Sequence, residues 1–343
     1  MRGLRTLRYL WREESGQGLV LGALAMVVIL GFAAMAVDVG LFLHERRELQ
    51  KAADAAALAG AQELPYSPGD AEQKAADWAE KNGIDVGELE AIEITSTYVA
   101  DDTITVEVKR DVSFVFARVL GFTSDTMRAD ATARVGSPAE MGGLVPFGVL
   151  DEAISLTEPT VLKYDAKNVF HGNFGALGID GSGAKTYRET IQYGSETPLC
   201  SQSQEETCAD PTTETEPGNM IGPTREAVEW RIDHTSPPCD QFDEVFQKVA
   251  GTYRLTSQCN PFPSTGPNDS SRVVIVPVIG ELCKGRCDVT ILKFAMFFLE
   301  ELGDCKGNSC EVTGRFVDAQ ANVGGLMGAL DPDGLIRFVR LVE

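Results

Sequence analysis

The sequence predicts an α+β protein held in a membrane by one N-terminal helix and continuing into a loop-rich, disulfide-containing outer part. Three observations support this prediction. Gly18 to Val37 are twenty consecutive residues without a charged side chain. All eight cysteines follow residue 199. Short alternating or β-branched runs, interspersed with helical patterns, fill the chain after residue 65, which is typical of mixed helices and sheets.

The uncharged run has the length of a membrane-spanning helix. A helix over Gly18–Val37 rises about 30 Å, the thickness of the hydrocarbon core of a bilayer. Four arginines precede the run, whereas Arg46, Arg47 and Lys51 follow it. This modest difference favours a cytoplasmic N-terminus and an extracytoplasmic C-terminal part.

A cleaved signal peptide is the alternative to an anchor, and Ala34 to Ala36 could supply its cleavage site. The apolar region of a signal peptide is, however, only about 7 to 15 residues long. The helical pattern also continues without a turn signal to about Leu64. We therefore expect an uncleaved helix, with residues 1–64 forming a cytoplasmic tip, the spanning segment and a helical extension.

The helical extension is rich in alanine. Lys51 to Ala61 contains small side chains at spacings of three and four residues, which allow another helix to approach closely. This pattern fits an intramolecular contact or a homo-oligomer equally well. Asp38 directly follows the apolar run, and we expect it at the membrane interface because an ionised group deep in lipid is costly.

These N-terminal residues resemble a known family. GQGLVLGALAMVVILGFAAMAVDVG, followed by HERRELQKAADAAALAGA, is similar to the N-terminal region of Flp (tight adherence) pilus-assembly TadG-like proteins, over about residues 15–61. A weaker similarity extends into the following block. The resemblance singles out Asp38 and Gly40 at the membrane exit, and Asp54 and Gly60 in the alanine-rich run, as candidates for membrane-exit and helix-packing roles.

The resemblance implies a role in assembly and no enzymatic chemistry. Related pilins carry a glutamate five residues after the glycine at which they are cleaved. Here those positions hold Ala23 after Gly18 and Leu21 after Gly16. The resemblance therefore favours a permanently anchored accessory or scaffold over a processed fibre subunit, with the lipid bilayer and other pilus-assembly proteins as partners.

The remaining chain divides near residue 137. Residues 65–137 predict a small α+β domain with a helix over 70–82, strands over 91–99 and 103–112, a helix over 114–120 and a strand over 126–135. Residues 138–343 predict a mainly β extracytoplasmic domain, with strand-like runs at 160–164, 272–279, 289–299, 312–317 and 336–342.

Two glycine-rich passages, residues 171–183 and 216–224, interrupt this second domain. They could bind a ligand or partner through backbone amides, but tight turns are the simpler interpretation. Gly183-Ala184-Lys185-Thr186 has the wrong order for a phosphate-binding loop. Asp180-Gly181-Ser182 matches only the start of the metal motif of von Willebrand A-type domains, which some TadG proteins carry. We therefore predict neither a cofactor nor a metal.

The cysteines form an even set that is confined to the proposed outer domain, which favours disulfides. Pairing of neighbours along the chain is the simplest connectivity among many. The alternative is a zinc site built from the last four cysteines, although neither of their pairs has the usual spacing of two intervening residues. The disulfide candidates are Cys200, Cys208, Cys239, Cys259, Cys283, Cys287, Cys305 and Cys310.

Charge and residue types narrow the function further. Residues 65–343 carry the whole net charge of −21, so nucleic-acid binding is not expected. The three histidines, His44, His171 and His234, stand in no recognisable catalytic pattern. We predict a non-enzymatic, single-pass protein of the bacterial cell membrane; the alternative is a membrane-tethered hydrolase or carbohydrate-binding protein that uses the glycine-rich loops.

Overall fold

The computed structural model confirms the mixed α+β class and the long apolar N-terminal helix. The structure describes residues 15–162, 175–202, 208, 210–249, 252–256, 258–261, 270–283, 285–303, 305, 310–320 and 325–342. The N-terminal arginines, His171 and the first part of the glycine-rich passage 171–183 lie outside these ranges.

The described helices and strands follow one another along the whole chain. The helices are α1 (Ser15–Ala61), α2 (Pro68–Lys81), α3 (Ala184–Tyr193), α4 (Ile221–Asp233) and α5 (Phe242–Val245). The strands are β1 (Leu89–Thr95), β2 (Thr103–Ser113), β3 (Ser124–Gly136), β4 (Pro138–Met141), β5 (Val149–Leu150), β6 (Thr160–Val161), β7 (Leu199–Cys200), β8 (Thr212–Glu214), β9 (Phe246–Val249), β10 (Thr252–Leu255), β11 (Val273–Ile279), β12 (Asp288–Leu302), β13 (Val312–Val317), β14 (Ala319–Gln320), β15 (Leu326–Met327) and β16 (Ile336–Val342).

Helix α1 has two halves with different surroundings. From Leu19 to Leu43 its large apolar side chains are mostly exposed. From Leu49 onward most of its leucine and alanine side chains are buried against α2 and the strands β2 and β3. The helix is therefore exposed and apolar at one end and part of the core at the other, and its alanine-rich run makes an intramolecular contact.

The block after α1 forms an antiparallel sheet in the order β1-β2-β3. Ile104, Val106 and Val108 alternate toward α1 from β2, whereas Thr105 and Glu107 point away. This period of two places one face of the sheet in the core. The predicted helix over 70–82 and the strands over 91–99, 103–112 and 126–135 correspond to α2, β1, β2 and β3.

The same sheet continues with strands from the far part of the chain. β16 pairs antiparallel with β3, from Phe338 opposite Gly136 to Val342 opposite Thr132. Beyond β16 follow β14, β10 and β9. A hydrogen-bonded ladder thus crosses the boundary expected near residue 137, and the division into two domains remains a prediction.

The region after residue 138 contains a second sheet, in the order β5-β11-β12-β13-β6, and a small sheet of β15, β4 and β7. β11 is buried along its entire length, because apolar clusters cover both of its faces. Helices α3 and α4 pack together over one of these clusters. The sequence did not predict these helices, since both lie in or beside the glycine-rich passages.

The cysteines form four pairs at disulfide distance, Cys200–Cys208, Cys239–Cys259, Cys283–Cys287 and Cys305–Cys310. These are the pairs of neighbours along the chain. Cys239 and Cys259 are fully buried and join the start of the α5–β9 segment to the loop after β10. All four cysteine pairs lie between residues 200 and 310, where they connect loops and short strands.

Candidate functional site at the membrane exit

Asp38 binds a distant loop at the point where α1 leaves its apolar run. The backbone N–H groups of Val115, Phe116 and Ala117 donate to its two carboxylate oxygens at 2.6 to 3.2 Å. The side chain is only 6% exposed. A carboxylate that receives several backbone N–H groups makes strong, charge-assisted hydrogen bonds. Asp38 therefore fixes the loop between β2 and β3, residues 114–123, against the helix.

This loop differs from its sequence-based prediction. A helix was expected over 114–120, but only a short 3₁₀ helix forms, at Ala117–Leu120. Asp38 accepts the N–H groups that precede and begin this turn, in the manner of a helix cap supplied from another element. The Phe114 ring stacks on Phe42 of α1, with ring centroids 6.2 Å apart, which adds an apolar contact one helical turn above Asp38.

The rest of the β2–β3 hairpin follows α1 away from Asp38. Arg110 pairs with Glu45 at 3.2 Å and with Glu88 at 2.7 Å. Further along, the Gln50 side chain donates to the carbonyl of Asp130 at 2.7 Å. Beyond that level, Ile104 packs beside Gly60. Strand β2 therefore runs antiparallel to the helix and β3 parallel to it, and the closed end of the hairpin lies at Asp38.

A second aspartate closes the opposite end of β2. Asp102 is buried and accepts the N–H groups of Thr97, Tyr98 and Val99 at 2.7 to 3.1 Å. Burial alone would raise the pKa of Asp102, but these hydrogen bonds outweigh it and lower the pKa. The chain turns just before Asp102, and a carboxylate lies at each end of β2.

Gly60 is the packing glycine of the alanine-rich helix. A Cβ atom at this position would lie 2.6 Å from Ile104 Cδ1 and 2.9 Å from the carbonyl oxygen of Ala71. By contrast, a Cβ on Gly40 would meet no atom within 4 Å. Asp54 is half-buried and accepts a hydrogen bond from Gln50 at 2.9 Å. The alanine face is thus used inside the chain, and Gly40 makes no close approach there.

An ion-pair cluster that sequence reasoning missed joins α1 to the far part of the chain. Glu63, just after α1, pairs with Lys74 of α2 and with Arg254 of β10, the latter at 3.1 Å. Burial alone would raise the pKa of Glu63, but the hydrogen bonds from Lys74 and Arg254 lower it. No local signal could have revealed this contact, because Arg254 is 191 residues from Glu63.

The glycine-rich passages have structural roles in their described parts. Gly181 and Gly183 adopt positive φ angles in the turn before α3, and α4 begins inside the second passage. Asp180 accepts hydrogen bonds from Thr190 Oγ1 at 2.9 Å and from the backbone N–H of Thr197 at 2.9 Å. These contacts support the interpretation of the described residues as turns and caps.

A cavity with a volume of about 210 Å³ lies between β4, β12 and the turn before β16. Its described lining includes Ser137, Ser201, Lys293 and a single carboxylate, Asp331. Ser137 Oγ accepts a hydrogen bond from the backbone N–H of Asp331 at 3.0 Å. This partner is a backbone amide and could not act as a general base for the hydroxyl. This lining lacks the paired carboxylates that would favour the hydrolase alternative.

The remaining chemical candidates lie apart from one another. His44 is exposed on α1, and His234 stacks on Trp230 at the end of α4. Glu140 lies near Cys200 and Cys208, but these cysteines are paired with each other and offer no thiolate to a metal. The last four cysteines likewise form two separate pairs, which removes the four thiolates that a zinc site needs.

Comparison with known proteins identifies the segment that contains this site. Residues 16–63 match the family described as putative Flp pilus-assembly TadE/G-like. No curated protein matches the chain. No solved structure matches it either. The matched residues coincide with α1 and the two residues after it, including Asp38, Gly60 and Glu63, so the chain carries a TadE/G-like N-terminal segment.

Proposed function

We propose that this chain is a non-enzymatic, single-pass membrane protein of a tight-adherence (Flp/type IVb) pilus or a related surface-assembly apparatus. It acts there as an anchored accessory or scaffold. The observation that carries the proposal is the coincidence of the TadE/G-like match with α1. Within the described residues, this is the one helix long and apolar enough to cross a membrane.

The contacts of α1 suggest how the scaffold works. Its exposed apolar half supplies the membrane segment, and its buried half is part of the core of the sheet. The folded part is thus joined rigidly to the anchor, because the helix continues without interruption from one environment into the other. In this proposal the N-terminus is cytoplasmic, and the acidic, disulfide-containing part lies outside the cytoplasm.

The partners in this proposal are the lipid bilayer and other pilus-assembly proteins. A homo-oligomer through the alanine-rich helix is also part of the proposal, but the structure places most of the alanine side chains in the intramolecular core. The helix surface left over at that level includes Lys51 and the half-buried Asp54, Ala55 and Leu58. A homo-oligomer would have to use that remaining surface.

Two experiments test the proposal. An impermeant thiol reagent applied to intact cells should label the cysteines only after reduction, since they are paired and lie outside. Labelling without reduction, and only after lysis, would place them in the cytoplasm and overturn the topology. Deleting the gene should abolish or reduce surface pili, with recovery from the wild-type chain; unchanged piliation would overturn the assembly role.

A further inference from the structure

The loop at Asp38 exposes an unusual set of apolar side chains. Val115 is 54% exposed, Phe116 45%, Val119 88% and Phe122 64%. They lie within eight consecutive residues of one loop. Single exposed apolar residues are common on protein surfaces, but a cluster usually marks a contact with a membrane or a protein.

The position of the loop indicates which contact this is. The hydrogen bonds from Val115, Phe116 and Ala117 hold the loop beside Asp38, directly after the uncharged run Gly18–Val37. Val37, Val39, Leu41 and Leu43 of α1 are each more than two-fifths exposed at this level. The apolar surface of the loop is therefore continuous with that of the membrane helix.

The length of the hairpin supports the same placement. From Gly60 to Asp38, α1 descends about 33 Å at 1.5 Å per residue. From Ile104 to Val115, the hairpin descends about 36 Å at 3.3 Å per residue. The cross-contacts at Ile104, Arg110 and Val115 keep the two elements in step. The loop consequently reaches the end of the apolar run and does not stop above it.

We propose that the loop between β2 and β3 is a second membrane contact, in which Val115, Phe116, Val119 and Phe122 enter the interface of the leaflet that α1 leaves. Arg118, also exposed on this loop, can extend its guanidinium to lipid phosphates while its stem stays among apolar groups. Asp38 then serves as the joint between the two contacts. The inference rests on the proposed membrane anchoring of α1.

The contact would orient the folded part on the membrane. A single helix permits tilting and rotation of whatever it carries, because its depth is fixed but its direction is set by other contacts. A second apolar insertion beside the helix removes part of this freedom. The acidic outer part would then be presented to its partners in one orientation.

The test places an environment-sensitive fluorophore on the loop of the full-length protein in vesicles of phosphatidylethanolamine and phosphatidylglycerol. Val119→Cys is labelled without reductant, so that the native cysteine pairs stay closed. We expect a blue shift of the emission and quenching by lipids that carry a nitroxide near the headgroup. Ala100→Cys is the matched control, because Ala100 is exposed in the turn at the opposite end of β2 and should show neither effect.

A second variant keeps the test independent of folding. Phe116→Ser and Phe122→Ser, combined in the labelled Val119→Cys protein, should weaken lipid quenching and leave the unfolding transition unchanged, since both residues are exposed. A probe at Leu30→Cys reports on α1 itself. Quenching at Leu30 without quenching at Val119 would overturn the loop contact alone.

Two further outcomes separate the remaining explanations. Absence of lipid quenching at both positions would overturn the membrane anchoring and the loop contact together. A Val119 probe that is protected from lipid nitroxides and also from soluble iodide would show that a protein surface covers the loop. That result would overturn the lipid contact in favour of self-association.

Discussion

The N-terminal unit, formed by α1, α2 and the strands β1 to β3, and the region after residue 138 are held together in different ways. The first packs alanine side chains of α1 and α2 against alternating valine, isoleucine and alanine side chains of the sheet, at close distance. The second packs phenylalanine, valine and isoleucine between sheets and helices and adds four cysteine pairs. Small side chains make the first unit sensitive to added volume, whereas the second depends on cross-links between irregular segments.

Removal of a buried disulfide should give the largest effect. Replacing Cys239 and Cys259 together by alanine opens a link across 20 residues, which should lower the free energy of unfolding by about 3 kcal/mol. The same change at Cys200 and Cys208, which spans 8 residues, should cost less, roughly 2.5 kcal/mol. Urea unfolding in detergent measures both, and equal stability of wild type and the first variant would contradict the comparison.

A larger side chain at a close helix contact tests how tightly the N-terminal unit is packed. Gly60→Ala should lower the free energy of unfolding by about 1 to 3 kcal/mol, since its Cβ would overlap Ile104 and the backbone of Ala71. Gly40→Ala is the matched control on the same helix, where a Cβ meets nothing within 4 Å. Thermal unfolding should separate the two variants; equal behaviour would mean that α1 can move away from the sheet.

Substitution of Asp38 tests what holds the loop between β2 and β3 against α1. Asp38→Ala removes the acceptor of the N–H groups of Val115, Phe116 and Ala117, and this loss should cost on the order of 1 to 2 kcal/mol. Hydrogen exchange of these amides should become faster, while the amides of β11 keep their protection. Asp38→Asn, which retains one acceptor oxygen, should lie between alanine and wild type. Unchanged exchange in the alanine variant would show that Phe42 and Phe114 alone hold the loop.

The smallest expected effect concerns the ion pairs of Glu63, which link the N-terminal unit to Arg254 of β10. The pKa of Glu63 is lowered from its ordinary value of 4.5, so its contribution to stability is fully present above about pH 4.5. That contribution is lost as the pH falls through the lowered pKa. Glu63→Gln should therefore remove part of the acid sensitivity, at most about 1 kcal/mol, because solvent screens the partly exposed Lys74 and Arg254.

The control for Glu63 is Glu72→Gln, because Glu72 is exposed on α2. Stability measured by urea unfolding at several pH values should show a shallower acid limb for Glu63→Gln alone. If the two variants gave the same pH profile as wild type, the contact from Glu63 to Lys74 and Arg254 would be without influence on stability.

Local patterns explain why some elements could be predicted and others could not. The alternation in Thr103–Ser113 and the uncharged run of α1 are properties of neighbouring residues, and both appear in the structure as expected. The apolar pattern of 114–120 predicted a helix longer than the 3₁₀ turn that forms. The N–H groups at the start of this segment are bound by Asp38, at least 77 residues away, and the sequence alone does not show that contact. Helix α4 was missed because Ile221 and Gly222 lie in a passage that is typical of turns.

The candidate site was predictable only in its parts. Asp38 and Gly60 were recognised as residues of interest, but their partners come from β2, from α2 and from the loop between β2 and β3. The Glu63 cluster depends on β10, whose position follows from the order of strands in the sheet. Such order is set by the burial of whole faces, and one sequence does not reveal it.

The pairing of β16 with β3 has a consequence for the order in which the protein matures. A chain that crosses a membrane from its N-terminus delivers α1 and β2 to β3 early, whereas Ile336–Val342 emerges after the other strands described above. Until then β3 has an unpaired edge, which is a surface where strands of other chains can add. A chain that is cut before Ile336 would keep its membrane helix and its disulfides, yet its first sheet would stay open and prone to aggregation. Loss of this last strand is therefore expressed in the first sheet, on the half of β3 that lies away from Asp38.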